Sequence, residues 1–178
     1  MMARQDHSRK KSLLHQMFAR AILVSTWLAA VLLLASPALF AGETSAIPQR
    51  FHARIGGFMG STYEVQLEDG WIEYTRSGGG EKPRHSRVRP TMEQWGEFRR
   101  ELDAIGVWRW RAQYANPGVA DGTQWLLDVA YPDKAIISSG SNDYPGTTAD
   151  SSGVPYGSKA FNRYLKAVQR LVDGRAFE

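Results

Sequence analysis

The chain has 178 residues, 43% of them hydrophobic, with 22 Lys+Arg against 18 Asp+Glu and no cysteine. That is single-domain length, with apolar side chains enough for a core and too little net charge for a wholly disordered polymer. The missing cysteines exclude disulfides, thiolate metal sites, iron–sulfur clusters and thiol nucleophiles.

The basic balance is local. Arg4, Arg9, Lys10, Lys11 and Arg20 lie in residues 1–41 against Asp6 alone, which leaves 17 residues of each sign in 42–178. A neutral body lacks the net basic footprint that phosphate backbones demand, so nucleic acid is not an expected partner.

Residues 21–35 (AILVSTWLAAVLLLA) are uninterrupted by charge, follow the basic segment and lead into SPALFA at 36–41. A basic start, an apolar middle and a small-residue exit describe a secretory signal peptide. Cleavage after Ala38 puts Ser36 at −3, while cleavage after Ala41 puts bulkier Leu39 there. From Ala21 to Phe40 the stretch is also just long enough for a retained anchor, which takes ~20 residues, in which case the leader would be the only contact with a membrane. Either way the remainder is expected outside the cytoplasm, periplasmic or secreted. Residues 42–50 read as a linker, 51–174 as one domain and 175–178 as a tail.

Within the domain, residues 50–55 alternate as a short first strand. Residues 61–68 and 71–76 form a hairpin about Asp69-Gly70, with Leu67 facing Ile72 and Val65 facing Tyr74. Residues 77–90 are expected as a loop carrying Lys82, Arg84, His85, Arg87 and Arg89. A helix over 91–105 opens on a Thr91/Gln94 capping box, carries Trp95, Phe98, Leu102 and Ile105 on one stripe, and stops at Gly106. Residues 108–114 alternate as a strand. Residues 123–131 and 134–139 form a second hairpin about Pro132-Asp133. A long loop at 140–157 precedes the last helix, 158–172, whose stripe is Phe161, Tyr164, Leu165, Val168 and Leu171. Each helix has one apolar face. The expected fold is therefore α+β, an antiparallel sheet of about four to six strands with two helices packed on one face.

No arrangement of residues announces a catalytic centre. Asp121, Asp133 and Asp143 sit beside Gly, Pro or Asn, where aspartate is favoured by turn chemistry. His52 and His85 lie on separate segments without metal-ligand spacing, and Ser139-Gly140-Ser141 has no base placed beside it. The sequence predicts no catalytic, cofactor-binding or metal-ligating residues. Ligand-binding candidates come from the aromatic and basic surface instead. Trp71 should face away from Leu67 and Ile72. The long loop contributes Asn142, Tyr144 and Tyr156, and an 18-residue segment without periodicity is a natural binding surface. The aromatics read first as core; the functional alternative is a stacking platform for sugars, with Trp71, Tyr144 and Tyr156 as its best candidate. Arg84 and Arg87 represent the basic run, which suits an anionic partner.

The run Tyr63–Tyr74, the Trp95/Phe98 helix, Asp121-Gly-Thr-Gln-Trp125 and Gly140-Ser-Asn-Asp-Tyr-Pro145 resemble bacterial exported domains of unknown function with a hairpin–helix–hairpin–helix layout. The resemblance covers about residues 51–172 and implies that fold and an exported location; it implies no catalytic residues. Three functions stand side by side. The first is a non-catalytic binding module for a glycan or protein of the cell envelope. The second is an exported hydrolase using Asp and Ser residues of 121–158, and the third is a protein inhibitor or immunity-type partner.

Overall fold

The computed structural model describes residues 45–57, 60–118, 121–146 and 155–178. The leader expected at 1–41 and the middle of the long loop lie outside the described residues. Nine elements follow in chain order: β1 (Arg50–Gly57), β2 (Ser61–Glu68), β3 (Trp71–Gly78), β4 (Glu81–Val88), α1 (Met92–Ala104), β5 (Gln113–Ala115), β6 (Thr123–Ala130), β7 (Ala135–Ser141) and α2 (Lys159–Leu171).

The strands form a seven-stranded sheet in the order β4-β3-β2-β1-β6-β7-β5. All pairs are antiparallel except β5 with β7. Alternation of apolar and polar residues gives the sheet two unlike faces. Phe51, Ala53, Ile55, Val65, Ile72, Trp125, Leu127 and Val129 point to one side and are buried there. Both helices cover that side. Phe51 meets Trp95 and Phe98 of α1, and Trp125 meets Phe161 of α2 at 4.9 Å between ring centroids. The other side carries polar residues such as His52, Glu64, Glu73, Arg87 and Asp128, and the fold leaves it uncovered by either helix. The α+β class and the two-layer arrangement agree with the sequence pattern, though the sheet has seven strands rather than four to six and one parallel pair, because β4 and the short β5 extend its edges.

Local chemistry explains why the elements end where they do. Leu67 pairs with Ile72 and Val65 with Tyr74, as expected. At the turn between them Asp69 and Gly70 both take positive φ (50° and 78°), which matches the right-handed twist of the flanking strands. Helix α1 has the full capping box: Gln94 N–H donates to Thr91 Oγ1 at 3.1 Å and Thr91 N–H to Gln94 Oε1 at 2.8 Å. Among the described residues no helix is long and apolar enough to cross a membrane.

Three expectations need correction. The loop at 77–90 is instead the end of β3 and all of β4, joined by Gly79-Gly80. An edge strand that packs against little needs no apolar alternation; only Val88 is buried on β4, and Pro83 is tolerated because an edge has donors to spare. The strand at 108–114 shrinks to the three residues of β5, because a single 3₁₀ turn at Val107–Arg109 intervenes. That turn buries Val107, while Trp110 packs edge-on against Trp125 and Tyr164. Finally, the presumed tail folds back: Phe177 is fully buried and Tyr74 donates its hydroxyl to the Ala176 carbonyl at 2.7 Å.

Candidate functional site

The last residues of β1, the first of β2 and β6 and the end of β7 gather at one end of the sheet. Close backbone approach governs the composition here. A Cβ on Gly122 would collide with the Asn142 side chain, and a Cβ on Gly140 would strike the Trp125 indole nitrogen and lie 2.7 Å from the Asp143 carbonyl oxygen. Each glycine lets a neighbouring strand or turn close over it.

Two recesses flank this end. The first, of ≈ 550 Å³, opens on the uncovered face and is lined by Arg54, Thr62, Gln113, Asp121, Gln124, Ser139 and Ser141 among others. The second, of ≈ 420 Å³, lies towards the helix side and is lined by Ser61, Tyr63, Asp121, Thr123, Tyr156 and Glu178. Gly56, Gly57, Asp121 and Gly122 line both. The chain at Gly56-Gly57 and Asp121-Gly122 thus forms a rim between them, with no bulky side chain standing on it.

Behind the second recess sits an aromatic cluster. Tyr144 lies 5.0 Å from Tyr156 and 4.9 Å from Phe161, ring centre to ring centre. Phe161 is fully buried, whereas both tyrosines keep part of their surface in water. Burial pushes both phenols above their ordinary pKa, and Glu178 adds to the rise at Tyr156. They remain neutral hydroxyls at physiological pH, able both to donate and to accept.

The backbone here is held in costly conformations. Asn142 and Tyr156 take positive φ, 54° and 53°. Asparagine tolerates this region; a tyrosine there is an outlier that costs on the order of 1 kcal/mol and must be held by its surroundings. Ser158 supplies part of the hold. Its buried hydroxyl donates to the Pro145 carbonyl and accepts the Phe161 N–H at 3.0 Å, joining the end of the β7 turn to the start of α2. On the other flank Asp143 accepts from the Tyr144 N–H at 2.9 Å and reaches Arg111 at 3.4 Å, while its carbonyl takes the Trp125 indole N–H at 2.9 Å.

The candidate residues fall into three places. Asn142, Tyr144 and Tyr156 come together at this end. Trp71 does not join them. It lies on the uncovered face, as expected, but at the other end of β3, seven residues (~23 Å at ~3.3 Å per residue) from the pair Ser61/Gly78 that borders the second recess. Trp71 therefore cannot share a platform with Tyr144 and Tyr156, whose rings lie side by side. Arg87 belongs with Trp71, its guanidinium carbon 5.2 Å from the ring centre, whereas Arg84 pairs with Glu81 at 3.3 Å. The aspartates are likewise separated. Asp133 is tied to Arg99 at the far end of β6 and β7, and only Asp121 and Asp143 share the recessed end. Among the described residues there is no group of three potential metal ligands.

Sequence reasoning did not single out Tyr63, Arg54, Gln113, Gln124 or Glu178. The alternation of β2 places Tyr63 beside Val65 and looks like core, and only the topology reveals that it borders an opening. Asp121-Gly122 was visible as turn chemistry, and its role as a rim with Gly56-Gly57 depends on β1 lying next to β6. The chain matches no protein-family model and no curated protein.

Proposed function

We propose that the chain is an exported binding module, periplasmic or secreted, that holds a hydroxyl-rich glycan at the recessed end of its sheet. The observation that carries this reading is the pair of recesses meeting at the Gly56-Gly57/Asp121-Gly122 rim, apolar-aromatic on one side and polar on the other. Tyr63 and Tyr156 offer ring faces for the C–H surface of a sugar, and their phenols and Glu178 meet hydroxyls. Across the rim, Arg54, Gln113, Gln124 and Ser141 supply amide, guanidinium and hydroxyl groups. Export is supported by the basic, apolar and small-residue succession of residues 1–41 and by the resemblance to exported bacterial domains.

The test is a glycan array followed by calorimetric titration of the best binder. Tyr63→Ala and Tyr156→Ala should each weaken binding by at least tenfold, the loss expected of an aromatic anchor. Asp121→Asn should weaken it less. No saccharide binding at millimolar concentration, with the protein folded, would overturn the proposal. Hydrolysis of a bound glycan that disappears in Asp121→Asn would instead favour the exported-hydrolase reading, because Asp121 faces both recesses.

A further inference from the structure

At the opposite corner of the uncovered face, Trp71 opens β3 and lies beside the end of β4. Two guanidiniums approach its half-buried ring: the Arg87 carbon stands 5.2 Å from the ring centre and the Arg89 carbon 5.4 Å. The register Ile72↔Val88 and Glu73↔Arg87 brings them there, since residues just beyond that pairing continue alongside Trp71. Arg89 is flanked by buried Val88 and buried Pro90, which fix its backbone while its own side chain stays exposed.

The charges at this corner do not balance. Arg87 Nε contacts Glu73 at 2.5 Å and so spends one of its donors. Arg89 makes no ion pair with any described carboxylate, and Glu68, directly across from Trp71 on β2, is exposed and pairs with neither arginine. Two like charges drawn to one indole repel each other, and both side chains reach water, Arg87 at 53% exposure and Arg89 exposed as well. An edge strand gains protection from charge in general, which explains Lys82 and Arg84. It does not explain why two guanidiniums converge on one ring.

We infer that Trp71, Arg87 and Arg89 form a binding site for an oxyanion, a carboxylate or a phosphate group, gripped by the two guanidinium forks and backed by the indole. Forked, charge-assisted hydrogen bonds suit both groups, and the anion would relieve the repulsion between the arginines. The site is separate from the recessed end and does not depend on the glycan reading.

The experiment follows the Trp71 indole N–H by NMR at constant ionic strength while chloride is replaced by phosphate in one series and by acetate in another. A saturable shift in either series supports the site, and the series that saturates first identifies which oxyanion it prefers. Arg89→Gln should abolish saturation, whereas Arg100→Gln, which alters an exposed arginine of α1, should leave it intact. The other indole signals report that each variant is folded, and Arg89→Lys, which keeps the charge and loses the fork, should weaken binding severalfold. Shifts that stay linear and match those in chloride alone, or saturation that survives in Arg89→Gln, would overturn the inference.

Discussion

Strands β6 and β7 run between two ends built on opposite principles. At the Pro132-Asp133 turn every charge is answered. Arg99 of α1, 9% exposed, places its fork on both oxygens of Asp133 at 3.0 and 2.8 Å and its Nε on Asp103 at 3.0 Å. Its guanidinium carbon lies 4.4 Å from the centre of the Tyr131 ring and 5.2 Å from that of Trp108. Lys134 and the Trp108 indole complete the Asp103 partners. At the other end Asp121 is exposed without an ion pair among the described residues, two non-glycine residues hold positive φ, and recesses open on both sides. The first end locks helix to sheet. The second leaves Asp121 without an ion pair among the described residues, at the rim where the proposed ligand would sit.

The contrast can be broken most severely from beneath the open end. Phe161→Ala removes the ring on which Tyr144, Tyr156, Trp110, Trp125 and Tyr164 converge, and should cost roughly 3–5 kcal/mol, read from the urea midpoint. At the closed end Arg99→Ala should cost about 2 kcal/mol, mostly as lost ring stacking and stem packing, since both carboxylates are partly solvated and screened.

That same substitution sharpens the comparison through pH. Hydrogen bonds from Arg99 hold the Asp133 carboxyl below its ordinary value against the cost of burial. At Asp103 burial pulls upward, but Trp108, Lys134 and Arg99 together outweigh it and the net shift is downward. Carboxyls lowered in the folded state make the unfolded chain the better proton binder. Their contribution is complete above the ordinary carboxylate pKa of ~4 and is lost as pH falls through the lowered folded values. Urea midpoints should therefore drop in acid for the native chain, and Arg99→Ala should show a shallower drop.

Smaller effects separate the ends more finely. Ser158→Ala should cost ~1–2 kcal/mol, because it removes both a helix cap and the donor to the Pro145 carbonyl. Least of all, Asp121→Asn should change stability by no more than ~0.5 kcal/mol, while the matched Asp133→Asn lowers it. Equal losses at the two aspartates, measured by the same urea titration, would erase the distinction.

How far these features could be seen in the sequence depended on what each rests upon. The Thr91/Gln94 cap and the Asp69-Gly70 turn were legible because their partners lie within a few residues. The helix stripes were legible because Trp95, Phe98 and Leu102, like Phe161, Leu165 and Val168, repeat at helical spacing. Strand β4 was hidden because an edge strand with one buried residue carries no period-two signal. Trp108 and Trp110 alternate with arginines as a strand would, yet they serve a 3₁₀ turn whose geometry is set by rings from other elements. For the candidate site, Tyr144 and Tyr156 were visible as aromatics of a long loop without periodicity. Tyr63, Arg54 and the glycine rim were not, because they meet only when β1 inserts between β2 and β6.

That insertion also dictates the order of assembly. Strand β1 comes first in the described chain yet occupies the middle of the sheet, and its contact between Arg50 and Asp128 spans 78 positions. The β1–β4 meander and the β6–β7 hairpin are each built from local pairings that form within microseconds, but the two halves join only when the long connection between β1 and β6 is closed. A chain made from its N-terminus must therefore hold β1 unpaired on the β6 side until Thr123–Ala130 has been made, leaving a half-finished sheet edge in the meantime.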